Sequence, residues 1–439
     1  MPVNDTAPAI SEEQLQEILS SHREWHNFAR VLHQSPAIYQ LEMERIWRQG
    51  WLFAGFEIEL PKPGDFITLQ MDNAPILVVR DDDGKVRAFH NVCRHRGTTL
   101  CRESSGNRRR IVCPYHQWTY GRNGELLHCH GMHKDLDKSE LGLKALHTEV
   151  LEGMIFVSLA DQPPPFDPAR QLMTPFAKPL GLASNCKIAK VIDYEIDANW
   201  KLVFENNREC YHCNVGHPQY IKANYDIYEE GYISDSVRTQ FEASVARSEK
   251  SWSEAGLNAA HSEGGLAHFP NPVNDIWYSA NRTVLSDGFQ TESMDGARVV
   301  AQLIGDYKDA DVGVVRLRTM PNFWGHASCD HAVLTRLLPG GHKKTMARSY
   351  WLVHQDAVEG VDYHLDKLLP FWQLTAEQDW ELCKRAQDGV DSPGYQPGPL
   401  SKDREYNVNA LVMWYMLQMK KTTTDDKKSG VQECNGAAA

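Results

Sequence analysis

The sequence predicts an α+β chain: a small antiparallel β domain, then a larger domain whose antiparallel sheet is covered by helices. Two observations carry this. Between Trp51 and about residue 160, short apolar runs (DFITLQ, PILVVRD, VRAFHNV, RIVCPY, TEVLEGMIFVSL) alternate with turn signals at Pro63-Gly64, Asp83-Gly84 and Asn123-Gly124, the pattern of a meandering sheet. From 187 onward, strand-like runs (KVIDYEI, VVRLRTMPN, HAVLTRLLP, TMARSYWLVH) mix with helical stretches at about 199–216 and 355–388, as in an α+β layer.

The remaining elements follow in order. Residues 11–33 predict a polar helix capped by Ser11, and 38–50 a second short helix ended by Gly50. The expected division is therefore a helical segment over 1–50 packing on the larger domain, the β domain over 51–160, and the larger domain over 161–420. The larger domain is entered through a linker containing Pro163 to Pro165 and a helix. The tail over 421–439 (KTTTDDKKSGVQECNGAAA) has few bulky apolar residues and is expected to be mobile.

Composition narrows the function classes. A 42% hydrophobic chain of 439 residues can bury a substantial core. No run of about 18 apolar residues predicts a membrane span, and the first residues show no secretory signal. The net charge of -12 argues against nucleic acid as a partner; the basic run Arg108 to Arg110 is a local exception and reads as a loop or docking patch. The ten cysteines, at 93, 101, 113, 129, 186, 210, 213, 329, 383 and 434, are expected to be metal ligands and buried thiols in a reducing, cytoplasmic compartment rather than a disulfide framework.

Residues 91–118 (NVCRHRGTTLCRESSGNRRRIVCPYHQW) contain Cys93-x-His95 and, after seventeen intervening residues, Cys113-x-x-His116. A hairpin would bring the two tight loops together. Two thiolates and two imidazoles can hold one zinc ion, or a [2Fe–2S] cluster with both cysteines on one iron and both histidines on the other. Zinc fingers usually pair Cys-Cys with His-His; the mixed pairs here, with Gly97 allowing a close turn and Pro114 and Trp118 shielding the second loop, favour the cluster. Residues 199–220 (NWKLVFENNRECYHCNVGHPQY) hold a second group. Glu209 and His212 would share a helix face, whereas His212 and His217 would not. For both imidazoles to meet one metal, the helix must be distorted or end near Gly216, with Pro218 preventing regular continuation. Two imidazoles and a carboxylate on Fe(II) leave open positions, as oxygen chemistry requires.

The first segment, through its spacing, its CPYHQWTY run and the RNG turn after it, closely resembles the Rieske domains of ring-hydroxylating and N-demethylating oxygenases. The NWK…EN…E-x-x-H-x4-H segment resembles the mononuclear iron motif of the same family, and AFHNVCRHRG, WLFAG and EQDWELC extend the resemblance over about 40–415. It implies a third iron ligand in a helix near the C-terminus. Asp379 occupies that position, ahead of Glu377 and Asp388. It also implies that the acid three residues before the first iron histidine bridges the iron of one subunit to the Rieske histidine of the next. That acid is usually Asp in the ring-hydroxylating members. Here it is Glu209, in an ECYHC run, as in members acting on choline, glycine betaine, carnitine or stachydrine.

The implied function is a terminal oxygenase that inserts oxygen from O2 into a small quaternary ammonium compound, by N-demethylation or hydroxylation. NAD(P)H would be the ultimate donor, through a separate flavin-containing reductase, and the subunits would form a homotrimer. A cationic substrate calls for aromatic faces, for which Trp277, Tyr278, Phe323 and Trp324 are the candidates. The alternatives are hydroxylation of an aromatic acid or ring, an electron-transfer iron–sulfur protein without oxygenase activity, and a zinc scaffold.

Overall fold

A computed structural model describes residues 10–224, 234–258 and 277–421. The first half is built on a seven-stranded antiparallel sheet with strand order Leu52–Phe56, Met154–Ser158, Ala145–Leu151, Val86–His90, Ala74–Arg80, Asp65–Met71 and Ser105–Asn107. A separate three-stranded sheet, Ile111–Val112, Thr119–Tyr120 and Leu126–His128, stands beside it. The second half is a six-stranded antiparallel sheet ordered Cys186–Ile196, Lys344–His354, His331–Gly341, Phe323–Ala327, Val314–Thr319 and Tyr278–Thr283. Helices Trp200–Asn206 and Pro370–Asp391 lie against it. This is the α+β arrangement the sequence predicts.

The two sheets share one apolar core. The Phe53 ring packs tilted on Phe323 at 4.4 Å, and Asn322 closes the seam by accepting from Phe53 N at 2.9 Å and donating to Phe53 O at 3.0 Å. The N-terminal helices pack on the second half: buried Glu42 accepts from Lys201 Nζ at 2.5 Å, Trp200 Nε1 at 2.8 Å and Tyr415 Oη at 2.7 Å. A buried pair of this kind holds only when its remaining valences are satisfied, as they are here.

Several helix limits differ from expectation. The helix expected over 11–33 ends at Ser20; Ser11 and Gln14 form its capping box. Past that end the chain stays non-helical: Trp25 turns left-handed (φ 56°), and Asn27 N and Trp25 O bond to Gly398 and Leu400; only Arg30–Gln34 resumes. The helix expected over 38–50 starts at Pro36, behind the Ser35 cap, and finishes in a π-helical turn, Met43–Trp47. The helix expected from 355 starts only at Leu365, since Ala301 N bonds to Asp362 O and draws 355–364 into a loop. Of the tail expected to be mobile, 422–439 lies outside the described residues. No described helix is long and apolar enough to cross a membrane.

Candidate cluster pocket and iron centre

The two loops of the first motif are built alike. Gly97 N donates to Cys93 O and Gln117 N to Cys113 O, both at 3.0 Å. Gly97 (φ 76°) and Gln117 (φ 60°) both turn left-handed, which glycine tolerates and glutamine rarely adopts. The expected hairpin spanning all seventeen residues is not formed. The first loop follows Val86–His90 in the large sheet, and the second is itself the turn between Ile111–Val112 and Thr119–Tyr120. Tertiary packing, not local pairing, joins them.

Each loop buries its cysteine and leaves its histidine near the surface. The His95 and His116 rings lie 4.7 Å apart, with Trp118 stacked on His95 at 4.8 Å and Tyr115 on His116 at 3.7 Å. Their Nδ1 atoms are both buried and accept or donate no hydrogen bond among the described residues. A buried ring nitrogen without a partner is costly, and a metal ligated at both nitrogens removes that cost, so the residues fit an iron–sulfur group. Tyr120 Oη lies 3.3 Å from Cys93 Sγ and accepts from Arg94 N at 3.1 Å. Burial raises the Cys113 thiol, while the N–H groups of Tyr115 and His116 work the other way and would stabilise a thiolate. Cys101 packs in the core beside the loops, as expected.

The second motif breaks in two places, after Asn206 and again at His217 between Gly216 and Pro218. The helix expected over about 199–216 stops at Asn206, and a turn carries Glu209 before the short helix Cys213–Gly216. His217 is neither helical nor extended (φ -132°, ψ 68°), and Pro218 opens the next helix. The break swings both rings toward helix Pro370–Asp391. His212 Nε2 lies 3.2 Å and His217 Nε2 2.8 Å from the same oxygen, Asp379 Oδ1. Three donors aimed at one point fit a metal ion with open positions. The outer partners are set as well: Glu209 Oε1 accepts from His212 Nδ1 at 2.6 Å, and Gln378 Oε1 lies 2.8 Å from His217 Nδ1, fixing which nitrogen each ring presents inward.

The charges agree with a cation site. Burial pulls His212 down, but its hydrogen bonds with Asp379 and Glu209 outweigh this and hold it at about 10. Burial pushes Asp379 up, and the two histidines more than reverse it. A divalent ion would occupy the place these stabilised protons take.

Two cysteine expectations need correction. Cys210 and Cys213 form a disulfide because the turn between them brings their Cα atoms to 4.9 Å. Cys213 Sγ lies within 4.0 Å of His212 Nε2, so a thiolate there could compete as a third ligand. A disulfide sulfur cannot act as an anionic donor, which leaves that place to Asp379.

A cavity opens over these donors. Its aromatic walls are Tyr220 and Trp372, and Arg318 and His326 also line it. None of Trp277, Tyr278, Phe323 and Trp324 lines it. Trp277 and Phe323 pack against Phe166 and Phe53, Tyr278 against Trp277, and Trp324 against Phe204 and Trp380. The missed residues had signals. Trp372, Thr375 and Asp379 recur at helical spacing on one face, and Arg316 and Arg318 alternate inside an otherwise apolar strand.

An electron-carrying lobe joined to a catalytic half with an open iron centre defines a Rieske-type oxygenase subunit. The family described as Rieske [2Fe-2S] domain matches residues 50–146, and that described as ring hydroxylating alpha subunit (catalytic domain) matches 183–421. The chain is 37% identical over 414 residues to the glycine betaine monooxygenase oxygenase subunit of Chromohalobacter salexigens, covering 94% of this chain and 90% of that one. It is 38% identical over 384 residues to the subunit of the same description from Pseudomonas aeruginosa, covering 87% and 86%. A quaternary ammonium Rieske monooxygenase crystallised with gamma-butyrobetaine shares the fold, with a TM-score of 0.65 at 20% identity over 92% of this chain and 99% of that one. The chain belongs to the ring-hydroxylating oxygenase alpha-subunit family, in its quaternary ammonium branch. It is an oxidoreductase, a Rieske monooxygenase.

Proposed function

We propose that this chain is the terminal oxygenase that N-demethylates a small quaternary ammonium compound of the glycine betaine type. The observation that carries the reading is the convergence of His212, His217 and Asp379 beneath a cavity walled by Tyr220 and Trp372. The near full-length relatives in the glycine betaine monooxygenases support the substrate class. In this reading Cys93 and Cys113 hold one iron of the cluster and His95 and His116 the other. His212, His217 and Asp379 hold the mononuclear iron. When bound, these groups supply one-electron transfer and oxygen activation, respectively.

The residues do the positioning. The faces of Tyr220 and Trp372 hold the ammonium by cation–π attraction, about 0.5–2 kcal/mol per contact, and bring an N-methyl group over the iron donors. Hydroxylation of that methyl gives a carbinolamine, which releases formaldehyde and leaves a tertiary amine. Glu209 keeps His212 oriented through its Nδ1–H and forms the outward end of the iron site.

We further propose a head-to-tail homotrimer in which Glu209 of one subunit faces the Rieske histidines of its neighbour. Tyr115, 56% exposed beside His116, and Tyr211 and Val215, 51% and 90% exposed beside Glu209, support such a contact. The exposed Arg109 and Arg110, next to the cluster loops, suit an acidic face on a flavin reductase that draws on NAD(P)H. The buried free thiols Cys101, Cys186, Cys329 and Cys383 suit a cytoplasmic setting, to which the Cys210–Cys213 bond is the exception.

Formaldehyde release from glycine betaine, choline and carnitine, with a reductase and NADH, tests the substrate class. Turnover of aromatic acids alone would defeat it. Co-assembly of a cluster-dead Cys113→Ser chain with an iron-dead Asp379→Ala chain should restore activity if electrons cross between subunits; no recovery in mixed trimers would refute that route.

A further inference from the structure

We propose that Gln219 and Thr375 are positioning residues of the iron centre: with Gln378 they form a hydrogen-bond relay, anchored on the Phe371 carbonyl, that dictates which nitrogen of His217 is offered to the metal. The inference rests on the iron reading above and deepens it.

The two histidines are steadied in unequal ways. His212 Nδ1 meets a carboxylate, Glu209 Oε1, at 2.6 Å. An ionised carboxylate only accepts, so that ring carries a hydrogen on Nδ1 and turns Nε2 inward. His217 Nδ1 meets a neutral amide, Gln378 Oε1, at 2.8 Å. An amide has an accepting end and a donating end of nearly the same shape. Were the nitrogen of Gln378 to face the ring, Nδ1 would have to accept. The hydrogen would then sit on Nε2, the atom needed as ligand. Glu209 sets the polarity of its histidine alone, whereas Gln378 needs something to hold its oxygen toward His217.

The neighbouring bonds do this link by link. Phe371 O can only accept, and Thr375 Oγ1 donates its single hydrogen there at 2.7 Å. Only lone pairs remain on that hydroxyl, so Gln219 must present Nε2, which donates to Thr375 Oγ1 at 3.0 Å. The same nitrogen donates to Gln378 Oε1 at 3.0 Å, so Gln378 presents oxygen. That oxygen takes the Nδ1 hydrogen of His217 and leaves Nε2 toward Asp379 Oδ1, 2.8 Å away. Reversing one link alone would set two acceptors or two donors face to face. Thr375, Gln378 and Asp379 share a face of helix Pro370–Asp391, and Gln219 reaches it from helix Pro218–Ala223. Gln219 is 7% and Thr375 4% exposed, so water is poorly placed to substitute for either. Among the described residues, none of the buried polar side-chain atoms of His217, Gln219, Thr375 and Gln378 lacks a partner.

Chelator competition for ferrous ion on the cluster-loaded protein reads the relay without turnover. Thr375→Val keeps the shape of the side chain and removes the hydroxyl, while Thr375→Ser keeps the hydroxyl and removes a methyl. The valine chain should hold ferrous ion about 10-fold more weakly than wild type and the serine chain within about threefold of it, with the cluster absorbance unchanged in both. Gln219→Leu, which removes the middle link, should weaken binding as the valine does, and it decides the question if the valine variant does not fold. If these residues supply packing alone, the order reverses: valine stays near wild type and serine is the weaker, which overturns the proposal. Unchanged affinity in both the valine and the leucine variants overturns it too, and leaves the iron reading standing. A wild-type chain that binds no iron beyond the two of its cluster removes the parent reading, and the proposal with it.

Discussion

The cluster lobe and the iron centre are assembled in opposite ways. Cys93, His95, Cys113 and His116 sit on two loops with the same backbone turn, each held by its own hydrogen bond across four residues. They rest on a core of apolar side chains and cysteines. The iron centre joins a broken helical segment to a helix more than 160 residues later, over a half that buries Glu42 with Lys201, Glu205, Arg208, Arg316 and Arg318. Local turns make the first site a module. The second depends on the packing of the whole catalytic half, and its buried charges tie it to pH.

The largest expected effect tests whether the two sites are separable. Asp379→Asn removes the anionic donor that meets both histidines. It should cut turnover more than about a hundredfold and lower bound iron from three to two per chain, with the cluster spectrum unchanged. Cluster loss in the same variant would show that the lobes are not independent.

The second prediction concerns buried charge. Burial pushes Glu205 up to about 8, although Lys201 and the Asn27 side chain pull it down. The folded protein therefore holds a proton there that the unfolded chain releases above its ordinary value near 4.5. This stabilisation is complete below that value and is lost as pH rises through about 8. Urea unfolding of the catalytic half should weaken by on the order of 3–5 kcal/mol between pH 5 and 8, and Glu205→Gln should flatten the slope. A slope unchanged in that variant would count against the account.

Third, Glu209→Gln keeps an acceptor for His212 Nδ1 but removes the charge. Both metals should stay, and steady-state turnover should drop about 10- to 100-fold. Iron lost in proportion to activity would make Glu209 a support of the metal rather than a link between subunits.

The same contrast explains what could be read in the sequence. The proposed cluster ligands could be picked out because each loop's chemistry is contiguous, and the alternating runs placed both sheets. His217 was legible because Gly216 and Pro218 announce the helix break. Asp379 followed only from resemblance, since nothing in a polar helix marks one acid among several. The aromatic residues of the cavity were misjudged for a physical reason: Trp277, Tyr278, Phe323 and Trp324 are large, apolar and lie in the catalytic half, and such side chains are used first to fill the core. Tyr220 and Trp372 differ from them only in where the packed helices point. The Cys210–Cys213 bond was missed because its spacing reads equally well as two buried thiols until the turn is known.

The smallest expected effect probes the cluster module from inside. Tyr120 reaches Cys93 Sγ at 3.3 Å from the neighbouring small sheet, a contact that no local turn provides. A hydroxyl donating to a thiolate stabilises negative charge on sulfur, and the reduced cluster carries one charge more than the oxidised. Tyr120→Phe should therefore lower the reduction potential. A net hydrogen-bond value of about 0.5–1.5 kcal/mol corresponds to roughly 20–60 mV for one electron. Redox titration of the cluster absorbance measures this directly, and the iron content of the catalytic half should not change. A potential that stays put would mean that the two loops alone set the cluster's electronics, making the lobe more self-contained than its packing suggests. A larger drop with partial loss of sulfide would mean that Tyr120 holds the loops together, so that even the module depends on contacts beyond its own turns.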